Sequence, residues 1–319
     1  MQVGIIGSGR WATFLAWYAQ GIGHAVTLWG RAQSERFAAL KASRRNATIT
    51  LPDDITLTNN MQTLSRCDYI LIAVAAQSLR DVLSEWQAQG LQQRPFVLCM
   101  KGLETASGLR LSQVAAQCLG DDWPVAVWLG PGHPQDFTAG IPNCMVIDSR
   151  NDALKKDIAD AFSGQLIRIY YGNDLIGNEI GAAAKNVVGI AAGMLDGSGR
   201  SSLKGALMAR GAYEISALTV TLGGDARSTY GLCHLGDYEA TLFSPHSHNR
   251  RYGEQFIRGE SCEQLAEGYH SVPAFIELAR RHHVELPICQ AVYDLLYKQV
   301  DAATVIEGLF ARETRYEFM

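Results

Sequence analysis

The chain has 319 residues, 47% of them hydrophobic and 19% charged, with a net charge of -4. Single cores stop growing at roughly 250–300 residues, so this length and apolar content point to two domains. The acidic balance argues against a nucleic-acid partner, which needs a basic face, and no apolar run is long enough for membrane insertion.

Val3-Gly4-Ile5-Ile6 is a short apolar run ending at Gly7, and it predicts a buried parallel strand. Residues 11–20 predict a helix, and Ala25-Val26-Thr27-Leu28-Trp29 predicts the next strand. Together they form a βαβ unit. Further strands are predicted at 69–74, 96–100, 125–129, 144–148 and 166–170, with helices between them. Strands alternating with helices imply an α/β fold, here an N-terminal doubly wound parallel sheet of the Rossmann kind over residues 1–172. Beyond Tyr171 the β-branched runs disappear, and Tyr171-Gly172-Asn173-Asp174 reads as a hinge. Helices are predicted at 176–195, 202–222, 272–283 and 288–300, so residues 173–319 read as an all-helical C-terminal domain. The seven cysteines include no C-x-x-C pair and read as small buried groups in a reducing compartment. Met1 stands one residue ahead of the first strand, which leaves no room for a leader, so a cytoplasmic location is expected.

Gly7-Ser8-Gly9-Arg10-Trp11-Ala12 fits G-x-G-x-x-G/A in the context that gives the pattern meaning, after a strand and opening a helix. Gly7 permits the tight turn, Gly9 lets a pyrophosphate approach the backbone, and the helix N-terminus offers free N–H groups to the anion. The second strand ends at Trp29-Gly30-Arg31 with no acidic residue to hold a ribose 2′-hydroxyl. Arg31 there suits a 2′-phosphate, which favours NADP over NAD.

Four polar clusters are candidates for chemistry. Lys101 follows a predicted strand, where open α/β sheets place their ligands. Lys185 and Asn186 lie in a helix crowded with small residues, among them Gly177, Gly181, Gly189 and Gly193. Helix-interior glycine costs about 1 kcal/mol relative to alanine, so such a run implies close approach by another backbone or a ligand. A lysine in that packing loses solvation, which lowers its pKa towards values useful for proton transfer. Asp237, in Leu235-Gly236-Asp237, can orient such a lysine, and the cationic stretch Ser247-His248-Asn249-Arg250-Arg251 suits an anion. Taken singly, each cluster is also compatible with an ordinary surface or capping role. His246, His248 and Cys233 have no recognised metal spacing, and no G-x-S-x-G elbow supports a hydrolase.

Taken in order, these stretches resemble the bacterial type of NAD(P)-dependent glycerol-3-phosphate dehydrogenase. The matches are residues 7–13 to G-x-G-x-W-[AG]-T, 101–104 to K-G-L-E, 181–193 to G-A-x-K-N-V with a trailing I-A-A-G, 235–237 to L-G-D, 247–253 to S-R-N-R-R-F-G, and 267–269 to E-G-Y. The resemblance implies a helical domain like the C-terminal one of 6-phosphogluconate dehydrogenase, with the active site in the interdomain cleft. It implies that Lys185 transfers the proton, that Asp237 and Asn186 are its partners, and that Lys101 contacts substrate and cofactor. Gly130, Ser247, His248 and Asn249 would hold the phosphorylated substrate. Gly7, Ser8, Gly9, Arg10, Trp11, Arg31, Pro134, His248 and Glu267 would line NADP or NAD. A homodimer is expected, because helical second domains often pair. Two departures stand out: Gly132 replaces a hydroxyl residue, and His248 replaces an arginine that serves the substrate phosphate. They keep open a related dehydrogenase of another small hydroxy or keto compound, and a non-catalytic nucleotide sensor.

Overall fold

The computed structural model describes residues 1–262, 266–314 and 316–317, without the side chain of residue 306. Eight strands form one sheet: β1 Gln2–Ile6, β2 Ala25–Trp29, β3 Thr56–Thr58, β4 Tyr69–Ile72, β5 Phe96–Leu98, β6 Val125–Leu129, β7 Asn143–Ser149 and β8 Ile167–Tyr171. Their order is β3-β2-β1-β4-β5-β6-β7-β8. Helices α1 Arg10–Gly21, α2 Glu35–Ser43, α3 Leu79–Ala88, α4 Leu111–Leu119, α5 Pro134–Thr138 and α6 Asp152–Phe162 connect them. Both faces of the sheet are covered. Ile5, Leu71 and Val97 pack on one side with Phe14, Tyr18 and Phe162, while Ile6, Ile72 and Leu98 pack on the other with Leu79, Val82 and Trp86. That two-sided burial explains why the strands are continuous apolar runs rather than alternating ones.

The sheet is not wholly parallel. Strands β6 and β7 pair antiparallel. A parallel crossover usually carries a full helix. The β6–β7 connection carries only the five-residue α5, so the chain turns back beside β6. Strands β4 and β5 also stop two residues earlier than the apolar runs predict. The extra residues serve the loops at the carboxyl ends, where the Ala73 carbonyl packs against Gly7 so closely that any Cβ at Gly7 would overlap it. Gly7 itself has a φ of +134°.

The remaining helices are α7 Leu175–Gly197, α8 Lys204–Thr221, α9 Asp237–Leu242, α10 His248–Ile257, α11 Glu267–His282, α12 Pro287–Lys298 and α13 Ala302–Phe310. Helix α7 is the axis around which the others pack. It is apolar on nearly every side, with Ile180, Ala183, Ala184, Val187, Val188 and Ile190 all inaccessible, as expected of a helix enclosed by neighbours. The segment read as a hinge is tied down. The Gly172 N–H donates to the Ile147 carbonyl at 2.7 Å, Lys155 Nζ donates to the Gly172 carbonyl at 2.6 Å, and the Asp174 carboxylate caps α7 at the Gly177 N–H, 3.0 Å away. A buried ion pair at 2.5 Å joins Arg110, at the start of α4, to Glu179 of α7. Among the described residues no helix is long and apolar enough to cross a membrane.

Helices α7 and α10 cross backbone to backbone. A Cβ at Gly193 would overlap the Arg250 carbonyl oxygen, and one at Gly253 would overlap the Ile190 carbonyl oxygen. Gly205 in α8 faces open space. Gly193→Ala is therefore expected to destabilise the fold by about 1–3 kcal/mol in urea denaturation, the usual cost of overpacking. Gly205→Ala is expected to be neutral or slightly stabilising. Equal midpoints for the two variants would refute the close crossing.

Candidate active site

Three charged side chains from three elements meet at the carboxyl edge of the sheet. Lys101 follows β5, Lys185 lies in the middle of α7, and Asp237 opens α9. Asp237 sits between the lysines. One carboxylate oxygen accepts from Lys101, and the other lies 3.1 Å from Lys185 Nζ. Only 2% of the Asp237 side chain is exposed, against 18% for Lys101 and 13% for Lys185. Lys101 also donates to the Gly130 carbonyl at 2.6 Å. Lys185 donates to Thr241 Oγ1 at 3.1 Å. Burial pushes the Lys185 ammonium down to about 8; the Asp237 carboxylate opposes that shift, and the Lys101 charge adds to it. A carboxylate held between two cations in a dry pocket is a proton-transfer device with a fixed geometry.

The local folding follows from small residues and an irregular turn. A π-type turn over Leu232–Gly236 leads into α9 and delivers Asp237 to the cleft. Such turns recur at functional sites. Within it, the buried His234 ring lies where a side chain at Gly181 would stand, and its Nε2 is 2.8 Å from the Gly177 carbonyl. The Gly177–Gly181 stretch of α7 is therefore needed for the turn to pack one helical turn from Lys185.

Asn186 does not join the two lysines. Its Oδ1 accepts from Asn249 Nδ2 at 2.9 Å, and Asn249 Oδ1 accepts from the Gly268 N–H at 2.9 Å. These bonds run from α7 through α10 to the start of α11, where Glu267 is half-buried. Burial pushes the Glu267 carboxyl up to about 6, against support from the Ala76 N–H. Among the described residues its Oε2 has no hydrogen-bond partner. Ser247 is a helix cap, since its hydroxyl accepts from the Arg250 N–H at 3.3 Å, and His248 is the first residue of α10.

The dinucleotide turn lies along the same edge. Gly9 precedes α1 with no side-chain cap, and α1 has no acidic residue in its first turn. Among the described residues nothing lies within 4 Å of a Cβ placed on Gly9. Ser8 is half-buried and Arg10 exposed. Trp11 packs on Phe14 at 5.0 Å between ring centroids. Arg31 follows β2 and makes a loose surface ion pair with Asp81 at 3.8 Å. Pro134 begins α5. An uncapped helix start, open space at Gly9 and an orphaned carboxylate oxygen at Glu267 fit an anionic dinucleotide with hydroxyls to donate.

Gly132 has a physical reason to be glycine. Its φ is +137°, and any side chain there would overlap the Phe137 ring. Phe137 in turn stacks on Phe14 at 4.9 Å. The sequence reading missed Thr241, His234 and the Arg110–Glu179 pair. Thr241 was detectable as the residue one helical turn beyond Asp237; the other two became visible only with the packing of α7.

Comparisons with known proteins agree along the whole chain. Residues 2–155 match the family model for the NAD-dependent glycerol-3-phosphate dehydrogenase N-terminus, and residues 174–307 match that for its C-terminus. A glycerol-3-phosphate dehydrogenase (NAD(P)+) from Caulobacter vibrioides is 37% identical, with 99% of this chain and 98% of that protein covered. One from Pelodictyon phaeoclathratiforme is 34% identical, with 99% of each covered. The crystal structure of glycerol-3-phosphate dehydrogenase from Coxiella burnetii superposes with a TM-score of 0.90 at 28% identity, covering 98% of this chain and 99% of that one.

Asp237→Asn removes the one group that holds the Lys185 pKa up while leaving the Lys101 repulsion in place. The Lys185 pKa is then expected to fall below its present value of about 8, as read by NMR titration of 13Cε-labelled lysine. An unchanged or higher value would show that Asp237 does not govern this lysine.

Proposed function

The chain belongs to the NAD-dependent glycerol-3-phosphate dehydrogenase family, and on that premise we propose that it interconverts dihydroxyacetone phosphate and sn-glycerol 3-phosphate with NAD(P)H. The observation that carries the proposal is Asp237 clamped between Lys101 and Lys185 beside the dinucleotide turn. When bound, the nicotinamide supplies or takes the hydride exchanged with C2 of the substrate. The protein must then deliver one proton to the C2 oxygen in reduction and remove one in oxidation. Lys185 does both. Its ammonium donates to the carbonyl oxygen as the C2–H bond forms, and its free amine receives the hydroxyl proton in the reverse direction. Thr241 Oγ1 and Asp237 fix where Nζ points. Lys101, anchored on the Gly130 carbonyl, adds positive charge where the alkoxide develops.

The remaining roles follow the same reading. The uncapped start of α1 with Gly7, Ser8, Gly9, Arg10 and Trp11 holds the pyrophosphate side of the dinucleotide, and Pro134 and Glu267 line it further along. The start of α10, with Ser247, His248 and Asn249, holds the substrate phosphate, and Asn186 positions Asn249. Residues 1–172 serve as the cofactor unit and 173–319 as the substrate unit. NADPH is favoured over NADH, because the acidic ribose clamp is absent and a surface ion pair such as Arg31–Asp81 holds a guanidinium only weakly. A cytoplasmic homodimer completes the reading. Exposed Val220, Tyr230 and Phe243 supply apolar surface for pairing on the helical unit.

The enzyme is expected to oxidise NADPH with dihydroxyacetone phosphate, and Lys185→Ala to lower kcat by about 100- to 10,000-fold, the usual share of a general acid. The pH profile has a worked sign. Reduction needs the ammonium, so its kcat is level below pH 8 and falls above it; oxidation needs the free amine, so its kcat rises up to pH 8 and then levels, about 8 being the Lys185 value. Parallel profiles in the two directions would overturn the role of Lys185. Turnover of unphosphorylated ketones in preference to the ester would overturn the substrate. Arg31→Ala is expected to weaken NADPH binding about tenfold, as loss of a charge-assisted contact does, with little change for NADH in fluorescence titrations. An equal loss for both would remove the 2′-phosphate role.

A further inference from the structure

The substrate end of the cleft is short of positive charge. Lys101 and Lys185 share Asp237, which leaves one net positive charge for a phosphate ester that carries about -1.5 to -2 near neutral pH. The arginines of α10 do not make up the difference. Arg250 is committed to Asp196 at 2.7 Å and Glu254 at 3.2 Å. Arg251 is exposed and donates to the Pro245 carbonyl at 3.4 Å.

One group reaches into this region from the other side. His133, in the loop between β6 and α5, lies half-buried with its Nε2 2.9 Å from the Ala240 carbonyl of α9. A carbonyl can only accept, so Nε2 carries the proton, and the neutral ring presents Nδ1 as a bare lone pair. No hydrogen bond within the described residues uses that Nδ1. The charges of Lys185, Lys101 and Asp237 all act on the ring, and the His246 ring stands 5.9 Å away, just ahead of Ser247. His133 therefore lies against α9, the helix that carries Asp237 and Thr241, with its ring beside His246 just ahead of α10.

We propose that His133 is a substrate-contacting residue of this chain, which takes a proton from solvent onto Nδ1 as the phosphate ester binds and so adds a cation to the substrate end. The proposal rests on the functional reading above. In the free protein, burial holds His133 below the ordinary histidine range, with the Lys185 and Lys101 charges acting in the same direction and Asp237 and the Ala240 carbonyl opposing. The free protein thus favours a neutral ring. A dianion arriving beside it reverses the balance and raises its proton affinity. Binding of the ester is then linked to proton uptake, and affinity falls as pH rises through the value in the complex.

The test uses His133→Gln, whose side-chain amide can still donate to the Ala240 carbonyl but cannot be protonated. In the wild type, KM for dihydroxyacetone phosphate is expected to rise steadily from pH 6.5 to 8.5. In His133→Gln, KM is expected to be about tenfold higher at pH 6.5, the loss of one charge-assisted bond, and nearly flat from about pH 6.5 to 7.5, below the range in which Lys185 titrates. Calorimetric titration with sn-glycerol 3-phosphate in two buffers of different ionisation enthalpy reads the proton directly, with uptake expected in the wild type and lost in the variant. A variant that turns over substrate with the wild-type pH slope and proton uptake would overturn the proposal and leave the family function standing. Loss of the uptake in His246→Gln but not in His133→Gln would also overturn it. Wild-type protein that neither binds the ester nor turns it over would overturn the functional reading and this proposal with it.

Discussion

The structure depends on one buried carboxylate. Asp237 is almost wholly withdrawn from water and has a lysine on each oxygen. A single buried charge would be intolerable, and two like charges so near one another would repel strongly. The third charge makes the group stable as a unit, because each lysine satisfies one carboxylate oxygen and keeps other acceptors for itself, Gly130 for Lys101 and Thr241 for Lys185. The same arrangement sets the chemistry. Lys185 is desolvated enough to release its proton near pH 8 and paired enough to remain an ammonium until it does.

Everything around α7 serves that placement. The lysine sits in the middle of a 23-residue helix, so moving it means moving a rod buried along its length. The rod is located from several sides. Arg110 grips Glu179 from the α/β unit, Asp174 caps the first turn, His234 fills the space left at Gly181, and α10 lies against Gly193. The small residues that weaken α7 as an isolated helix are what allow these contacts. Helix propensity yields to packing, as it generally does when a helix is enclosed.

The elements carrying this site were legible in the sequence where burial alone decides them. Parallel strands covered on both faces are apolar throughout, and the glycine turn between β1 and α1 has no other common use in that setting. Lys101, Lys185 and Asp237 could be singled out because each stands at a strand end, in a small-residue helix or at a turn. What could not be read were contacts between distant segments. The reversal at β7 follows from the shortness of α5, which composition does not show. Ser247 looked like an anion ligand and is also a helix cap; Asn186 looked like a partner of Lys185 and instead holds Asn249. Arg250 looked free for an anion, but Asp196, 54 residues away in sequence, claims it.

Gly132 and His133 belong to one short loop between β6 and α5. Phe137 stacks on Phe14 beneath the β6–α5 loop, and its ring occupies the volume that a side chain at residue 132 would need. Only glycine fits there, with the backbone at a φ of +137° that other residues rarely adopt. The turn made by that glycine carries the next residue, His133, across the cleft to α9. Gly132 and the imidazole held against α9 are thus two features of a single loop that packs on the aromatic rings beneath it. The lysines are anchored to α7 and β5, and the loop reaches them through one direct bond, from Lys101 to the Gly130 carbonyl.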